Sequence, residues 1–452
     1  AKAHFQVRQY PAHGRRLLPI SSTVTGGALR RPALLSWLGL ASTSSPPIPL
    51  METSKKMSSP LMEIPDHLLT EILLRLPAPA DLARASAACV SIRRLVTEGS
   101  FLRCFRRRHA PPLLGFHDHE GFNPVLPPHP SAPAARELVL AADFSFSFLP
   151  SHCRWEVQDI RDGRVLLHRL REHHEQLPVF RELVVCDPLH RRYVLLPPVP
   201  HDLAASVPMV RRPQHQSLLV PLGEEEAAEE TAFKVIYILH YKIKLHAFVF
   251  SSSTGQWRPA ASKAWSDLLI TSHEFDFMSR LRPFFLRHHY AYGCVYWDWL
   301  VINVRKLLVL DTTSMEFSMA DLPPGDWSTL GLAIAEAGDG RLGMFGFRVG
   351  TASDLSYNIA RNKGKSPSHW QMEKRISLDH GYVYDIKGAT ERHLLLRRTE
   401  TSSDNPLNEY FSMDIDTLQL QIVSVKRYRL MYGTHIYQLS TIIVVFTDNM
   451  KW

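Results

Sequence analysis

A polar turn recurs four times between residues 187 and 420, and it limits the fold more than any other feature. At each copy an apolar run ends in Asp or Ser, a polar turn follows, and an apolar residue stands six positions on. The copies begin at Asp187, Ser251, Asp311 and Asp414. Such a side chain can accept hydrogen bonds from backbone N–H groups two or three residues later and so start a tight turn. The copies therefore predict a series of antiparallel hairpins.

The spacing of these turns predicts a repeated β unit. The interval between Asp311 and Asp414 is long enough for one more unit, near residues 370–376. Units of about 50 residues, each a set of antiparallel strands, are typical of kelch-like propeller blades. We therefore expect a large all-β, propeller-like (kelch-like) antiparallel domain over residues 136–447, with roughly six units. A large irregular β-sandwich is the alternative.

Shorter signals in the same region agree with strands. Asp162-Gly163 is a strong hairpin signal between two apolar runs, and Asp339-Gly340 repeats it. Residues 233–250 are interrupted by lysines and histidines, so they predict two strands rather than a membrane span. The partial alternation of residues 139–148 predicts another strand.

Residues 61–109 are different, because their apolar residues follow a helical period. Leu68, Leu69, Ile72, Leu73 and Leu76 fall three and four positions apart. Prolines stand before and after this stretch, and two or three further short helices follow it. The apolar stripe is wider than so small a core needs, so another surface should cover the surplus.

Several runs of this block have a characteristic spacing, namely Ile64-Pro65-Asp66-His67-Leu68-Leu69, Ile72-Leu73-Leu74-Arg75-Leu76-Pro77, Asp81-Leu82-Ala83-Arg84, Cys89 and Arg93-Arg94-Leu95-Val96. In these runs the block resembles an F-box, the adaptor-binding module of SCF-type cullin–RING ubiquitin ligases. The family usually has Trp where this chain has Ile92, and a smaller side chain there could weaken the partner interface. An ordinary helical cap is the alternative to the F-box.

The β region contains five further short runs, namely Leu183-Val184-Val185-Cys186-Asp187-Pro188, Leu195-Leu196-Pro197-Pro198, Tyr290-Ala291-Tyr292-Gly293-Cys294-Val295-Tyr296-Trp297, Leu308-Val309-Leu310-Asp311 and Trp370-Gln371-Met372-Glu373-Lys374. In these runs it resembles the F-box-associated β domain of plant, grass-type F-box proteins. They are looser than the F-box runs. The fold class that we expect is α+β multidomain, a small N-terminal helical F-box followed by the β domain.

These resemblances imply a non-catalytic substrate receptor. A Skp-family adaptor would bind the F-box and connect it to a cullin–RING ligase, while the β domain binds an unknown target protein. The residues expected at the adaptor are Ile64, Pro65, Leu68, Leu69, Ile72, Leu73, Leu76, Pro77, Leu82, Cys89, Ile92 and Leu95. An adaptor-independent interaction scaffold without a ubiquitin role is one alternative. An enzyme or small-molecule binder with a site on the propeller face is another.

The cysteine count and the net charge favour a reduced, cytoplasmic or nuclear protein. The five cysteines are scattered without paired spacing. The formal charge of +8 falls to +2 once the first 50 residues are set aside, because those carry six basic residues and no acid. Residues 1–60 are expected to be disordered. They are interpreted either as a transit peptide or as an extension of the gene model, in which case the true start is Met51 or Met57. No partner of nucleic acid or membrane is expected.

Other candidate sites favour structural or solvated roles. Residues 110–135 are rich in proline and predict a linker, in which His117 and His119 would be solvated. His168, His173 and His174 are also expected in a solvated loop, and the acidic residues between 224 and 230 likewise. The basic run at residues 103–109 predicts the end of a helix, with a nuclear-import patch as the alternative. No catalytic, cofactor or metal motif stands out.

Overall fold

The structure is a computed structural model of the chain. It describes residues 64–445, except 77–78, 110–111, 151–152, 171–179, 206–213, 222–231, 242, 269–284, 300–305, 352, 363–366, 401–406 and 428–441. The stretch 1–60, the histidines His173 and His174, and the acidic residues at 224–230 lie outside these residues.

Four helices make up the first part of the described chain. They are α1 (Asp66–Leu73), α2 (Pro79–Ala88), α3 (Val90–Val96) and α4 (Gly99–Arg108). Pro65 stands at the N-cap of α1, where its missing N–H is not needed. Their apolar faces form one small core, which comprises Leu69, Leu73, Leu74, Leu82, Ile92, Leu95, Val96, Phe101 and Phe105. The prediction that the basic run continues the last helix is confirmed, since α4 includes residues 103–108.

The predicted linker contains regular structure. Strands β1 (Leu113–Asp118) and β2 (Gly121–Pro124) form a hairpin, and helix α5 (Ala132–Ala141) follows. The linker prediction was wrong here because proline-rich composition concealed a short buried strand, in which Leu113 and Phe116 are almost fully enclosed. The strand predicted over residues 139–148 was also wrong, because residues 139–141 belong to α5 and residues 142–148 form turns and irregular chain. Ala132 to Ala135 favour a helix, and Pro133 stands in its first turn.

The rest of the chain forms a β-propeller arrangement with five four-stranded blades. The first blade comprises β3 (Arg154–Arg161), β4 (Arg164–Leu170), β5 (Leu183–Asp187) and β6 (Arg192–Leu195), with α6 (His201–Ala205) after it. The second comprises β7 (Gln214–Val220), β8 (Lys234–His240), β9 (Lys244–Ser251) and β10 (Gln256–Ala264), with α7 (Trp265–Leu268) after it. The third comprises β11 (Phe285–Ala291), β12 (Cys294–Trp299), β13 (Lys306–Asp311) and β14 (Glu316–Asp321).

The last two blades have the same antiparallel order. The fourth comprises β15 (Trp327–Glu336), β16 (Arg341–Arg348), β17 (Asp354–Asn362) and β18 (Pro367–Ser377). The fifth comprises β19 (Tyr382–Ala389), β20 (His393–Glu400), β21 (Leu407–Asp414) and β22 (Leu420–Arg427). The first strand of each blade is the inner one, since β3 packs against β7, β11 against β15 and β15 against β19. This arrangement rules out the irregular β-sandwich.

A sixth, three-stranded sheet joins the two ends of the propeller. Strand β23 (Ile442–Val445) pairs with β1, which pairs with β2. β23 lies against both β3 and β19, so this sheet stands between the first and fifth blades. The Lys426 ammonium of β22 reaches across to Asp118 at 2.7 Å and to Glu120 at 3.0 Å. The N-terminal strands are thereby fastened to the last blade.

The four polar turns of the sequence all connect the third strand of a blade to its fourth. Asp187, Asp311 and Asp414 each accept hydrogen bonds from two backbone N–H groups two and three residues on, at 2.8–3.1 Å. The prediction for these three aspartates is confirmed. In all four turns the residue four positions on has a left-handed backbone, with φ between 53° and 66°, at Arg191, Gly255, Met315 and Leu418. In the fourth blade the corresponding residues, 363–366, lie outside the described part of the chain.

The other hairpin predictions are also confirmed. Asp162 and Gly163 connect β3 to β4 with φ of 50° and 72°, and Asp339 and Gly340 have φ of 50° and 68° just before β16. Residues 233–250 contain two strands, β8 and β9. Among the described residues, no helix is long and apolar enough to cross a lipid bilayer.

Candidate functional site

Helix α1 divides its apolar residues between two stripes. Leu69 and Leu73 are buried in the helical core, whereas Leu68 and Ile72 remain 50% and 52% exposed. Leu68 and Ile72 are four residues apart, so they lie one above the other on one side of the helix. This pair leaves apolar surface of α1 uncovered by the helical core.

Eleven of the twelve residues expected at an adaptor are described, and they fall into three environments. Five are buried in the helical core, namely Leu69, Leu73, Leu82, Ile92 and Leu95. Ile64, Leu76 and Cys89 are half-buried against it, and Pro65, Leu68 and Ile72 are exposed. Pro77 lies outside the described residues. The buried members hold the helices together, so any direct contact with a partner would come from the exposed ones.

Val90 is an exposed apolar residue that the sequence did not single out. It begins α3 and is 77% exposed. Arg94 lies one helical turn further on the same stripe, and its guanidinium donates a hydrogen bond to Asp66 of α1 at 3.1 Å. The signal that could have identified Val90 is its position at the first turn of α3, on the face opposite Leu95 and Ile92.

Charged groups fasten α4 to α1. The Arg108 guanidinium lies 3.3 Å from Glu71 Oε1, and the Arg75 guanidinium lies at the same distance from the same oxygen. The hydrogen bond from Arg108 is the main reason that the pKa of Glu71 is lowered. His109 Nε2 lies 2.8 Å from the carbonyl oxygen of Leu74 at the end of α1. These contacts hold α1 against the end of α4, so the exposed side of α1 has a defined position.

Cys89 has a local electrostatic environment of its own. It is the N-cap residue of α3, and hydrogen bonds from the backbone N–H groups of Ile92 and Ser91 lower the pKa of its thiol. The helix N-terminus favours negative charge in the same way. The position of Cys89 at the start of α3 therefore explains the lowered pKa of its thiol.

The centre of the propeller holds a polar network that joins three blades. Asp159 of β3 accepts a hydrogen bond from the backbone N–H of Leu219 in β7 at 2.8 Å. Its other oxygen lies 3.5 Å from His288 Nε2 in β11. Burial alone would raise the pKa of Asp159, but the nearby His288 charge and the hydrogen bonds lower it. Gln216 lies beside His288, at 3.4 Å, and accepts a hydrogen bond from the Trp297 indole N–H.

A second buried network lies in the fifth blade. Asp385 accepts two hydrogen bonds from the Arg397 guanidinium, at 2.6 and 3.0 Å, and lies 2.8 Å from the Lys387 ammonium. Burial is the main reason that the pKa of Lys387 falls to about 8, although Asp385 opposes the shift. Both networks pair their charges internally, which suits a structural role.

The histidines predicted to be solvated are placed differently. His168 lies in β4, is almost fully buried, and has Nε2 2.9 Å from Glu156, so the loop prediction was wrong for it. His117 is half-buried in β1, and burial lowers its pKa to about 4. His119 is exposed. Within the described ranges, no cluster of three or more His, Cys, Asp or Glu side chains has the arrangement to hold a metal ion.

Comparisons with known proteins identify no family. No family model and no curated protein matches the chain. Solved structures match at low similarity. A puromycin-hydrolyzing peptidase of Mycobacterium tuberculosis is 10% identical, with a TM-score of 0.32, over 62% of this chain and 40% of that one. The chain thus spans well under half the length of that peptidase.

Two further structures match at a comparable level. The SapL1 lectin in complex with alpha methyl fucoside is 9% identical, with a TM-score of 0.31, over 60% of this chain and 78% of that one. A protein of unknown function from Dyadobacter fermentans is 11% identical, with a TM-score of 0.33, over 61% and 82%. None of these similarities bears on function.

Proposed function

We propose that this chain is a substrate-recognition subunit of an SCF-type cullin–RING ubiquitin ligase. The helical block would bind a Skp-family adaptor, and the propeller would hold a target protein. The observation that carries the proposal is the half-exposure of Leu68 and Ile72 on α1, beside the buried Leu69 and Leu73. A small helical core that leaves an apolar stripe uncovered favours a protein partner on that stripe.

Burial of the exposed apolar side chains would contribute enough free energy to affect adaptor binding. Burying a leucine or isoleucine side chain fully contributes about 1.5–3 kcal/mol, and half of each side chain is already covered. Leu68, Ile72 and Val90 together would then add a few kcal/mol to association. Each 1.4 kcal/mol changes a dissociation constant about tenfold. The exposed stripe is therefore large enough to govern adaptor affinity.

The short connection between the two parts also supports a receptor role. Only three residues separate His109, after α4, from Leu113 at the start of β1. A target held by the propeller would stay close to the ligase, so that its effective concentration at the ubiquitin-loaded enzyme is high. In this role the chain orients the lysines of its target and makes no covalent bond itself.

Assembly of the ligase tests the proposal. The full chain is mixed with a Skp-family adaptor, a cullin and a RING protein, and the mixture is separated by size. Co-elution of all four, followed by ubiquitin transfer to the chain when ubiquitin, E1, E2 and ATP are added, is the expected result. Failure to co-elute with any available Skp-family adaptor would contradict it.

An adaptor-independent interaction scaffold is the second candidate. The contacts of Arg94 with Asp66, Arg108 with Glu71 and His109 with Leu74 make the helices self-contained, as a simple cap would be. This candidate predicts that the propeller binds its partner whether or not an adaptor is present. It also predicts no change when charges are placed on the exposed side of α1.

A further inference from the structure

Two inner strands of the propeller bring cations together near its axis. β11 and β19 are the first strands of the third and fifth blades, and the first strands of the blades surround the central channel of a propeller. The two strands also lie against each other. Arg287 belongs to β11 and Lys387 to β19.

A glycine of the fourth blade shows how close these groups are. Gly331 of β15 has a φ of +94°, a conformation that favours glycine. A Cβ at this position would collide with the Arg287 guanidinium and would lie 3.0 Å from the carbonyl oxygen of Ile386. The guanidinium therefore lies beside the backbone of β19, next to Lys387, in space that the glycine leaves open.

The cations at this place outnumber the carboxylates. Asp385 lies 2.8 Å from the Lys387 ammonium and 2.6 Å from the Arg397 guanidinium, so two cations share one acid. Among the described residues, no carboxylate lies within ion-pair distance of Arg287. Three cations thus face one carboxylate, and two positive charges are left over.

The surplus cations also have hydrogen-bond donors to spare. The Lys387 side chain is only 9% exposed, and Asp385 takes one of its three donors. Arg287 is half-buried, and its guanidinium carries five N–H groups in a planar fork. Enclosing charge without a partner costs free energy, which a bound anion would recover. This place is therefore suited to an anion.

The number of surplus charges selects the kind of anion. A phosphate group carries a charge of about −1.5 to −2 at pH 7 and has oxygens that match the fork of an arginine. A carboxylate would neutralise only one of the two charges. Because Lys387 is buried, a small molecule reaches it more easily than a segment of another protein does.

We propose that Arg287 and Lys387 bind the phosphate group of a small molecule at the axis of the propeller. The guanidinium donates two parallel hydrogen bonds to the phosphate oxygens, and the ammonium supplies a second charge. Arg397 stays with Asp385 and adds to the positive field. The site is separate from the exposed side of α1 and does not depend on an adaptor.

Calorimetric titration of the full chain with inorganic phosphate tests the proposal. Sodium chloride holds the ionic strength constant, so that screening does not change between injections. We expect saturable binding, and binding of acetate that is at least about tenfold weaker because it carries one charge. Phenyl phosphate is the second probe. If it binds more tightly than phosphate, the natural ligand is a phosphate ester, and if it binds less tightly, the ligand is free phosphate.

The variant Arg287→Met distinguishes a binding role from a structural one. It should weaken phosphate binding at least about tenfold, because a charged, bidentate donor is lost. Its thermal midpoint in chloride should equal or exceed that of wild type, since Arg287 has no acid to leave unpaired. Arg287→Lys keeps the charge and should recover part of the affinity. Arg361→Met, at an exposed position on β17, is the matched control and should bind phosphate as wild type does.

Proton uptake gives a second readout that requires no variant. Burial lowers the pKa of Lys387 to about 8; Asp385 opposes this shift, while Arg397 and Arg287 add to it. His289, on the same side of β11 as Arg287, stays neutral in this range because burial lowers its pKa to about 3. A bound anion favours the charged ammonium, so binding should take up as much as about half a proton at pH 8 and almost none at pH 6.5. Sulfate is the probe here, since it does not titrate between these pH values.

Three outcomes would overturn the proposal. The first is no saturable response to phosphate beyond that to chloride. The second is an Arg287→Met variant that unfolds at a lower temperature than wild type yet binds phosphate equally well, which would make Arg287 structural. The third is sulfate binding without proton uptake at pH 8, which would place the anion away from Lys387.

Discussion

The Asp159 carboxylate lies 3.5 Å from His288 Nε2, although the two residues belong to the first and third blades. The same carboxylate holds the Leu219 N–H of the second blade. Inner strands of three blades therefore meet at one buried acid. A charge in this position is tolerated because it is both paired and hydrogen-bonded.

Replacing Asp159 should lower the free energy of unfolding of the propeller. Asp159→Ala leaves the buried Leu219 N–H without its acceptor, which costs about 1–3 kcal/mol, and removes the partner of His288. Chemical unfolding followed by tryptophan fluorescence measures the loss. Asp321→Asn, at an exposed position on β14, is the control and should stay within about 0.5 kcal/mol of wild type. An equal effect of the two changes would contradict a structural role for the network.

Lys426 should be needed to close the propeller. Its ammonium pairs with Asp118, which is buried, and with Glu120. Lys426→Met leaves the Asp118 carboxylate without its charge-assisted hydrogen bond, at a cost of about 1.5–3 kcal/mol. Limited proteolysis should then cut between residues 110 and 131 faster than in wild type. Lys374→Met, on the exposed face of β18, should not change the rate, and a similar acceleration in both variants would count against the closure.

Acid should destabilise the protein through its buried histidines. Burial lowers the pKa of His240 and of His289 to about 3, and that of His117 and His393 to about 4. Their unfolded pKa is near 6.5, so the unfolded state binds protons first as the pH falls. Stability is therefore fully present above about pH 6.5 and declines towards pH 4, by about 1.4 kcal/mol per pH unit for each such histidine.

Thermal unfolding between pH 7.5 and 4.5 measures this decline. Substitution of one buried histidine, His289→Met, should reduce the number of protons taken up on unfolding by about one. The free energy of unfolding should then fall less steeply with decreasing pH. The exposed His67→Gln should leave it unchanged. A midpoint that is flat down to pH 5 would show that the buried histidines do not govern acid stability.

Ile92→Trp tests the position at which the resembled family usually has Trp. Ile92 is buried in the helical core, so the larger ring should overpack it and cost about 1–3 kcal/mol of stability. Affinity for an adaptor, measured on the folded protein by calorimetry, should change less than about threefold. A large gain in affinity without a loss in stability would show instead that residue 92 contacts the partner.

Local signals in the sequence predicted much of the β-domain. The three aspartates of the polar turns act through backbone groups two and three residues away, so their role needs no knowledge of the rest of the fold. The same holds for Asp162-Gly163. The helix α5 was missed because residues 139–148 alternate weakly, and helix propensity before Val139 was the stronger signal.

Contacts between distant residues could not be predicted. Asp159 and Leu219 are 60 residues apart, and Gln216 and His288 are 72 apart, so only the closed ring brings them together. The wide apolar stripe on α1 indicated more apolar surface than the helical core needs. The helical period alone, however, does not show that Leu69 is buried and Leu68 exposed. Packing of α1 against α3 and α4 decides that Leu69 is inside and Leu68 outside.

Calorimetric titration of the full chain with a purified Skp-family adaptor tests the central claim most directly. Wild type should bind, and Leu68→Glu, Ile72→Glu should weaken binding at least about a hundredfold, because two half-exposed apolar side chains become charged. Leu140→Glu, at an apolar and still more exposed position on α5, is the control and should bind as wild type does. All three proteins should unfold at similar temperatures. Equal affinity of the double variant and wild type would contradict the claim that the exposed stripe of α1 is the adaptor surface.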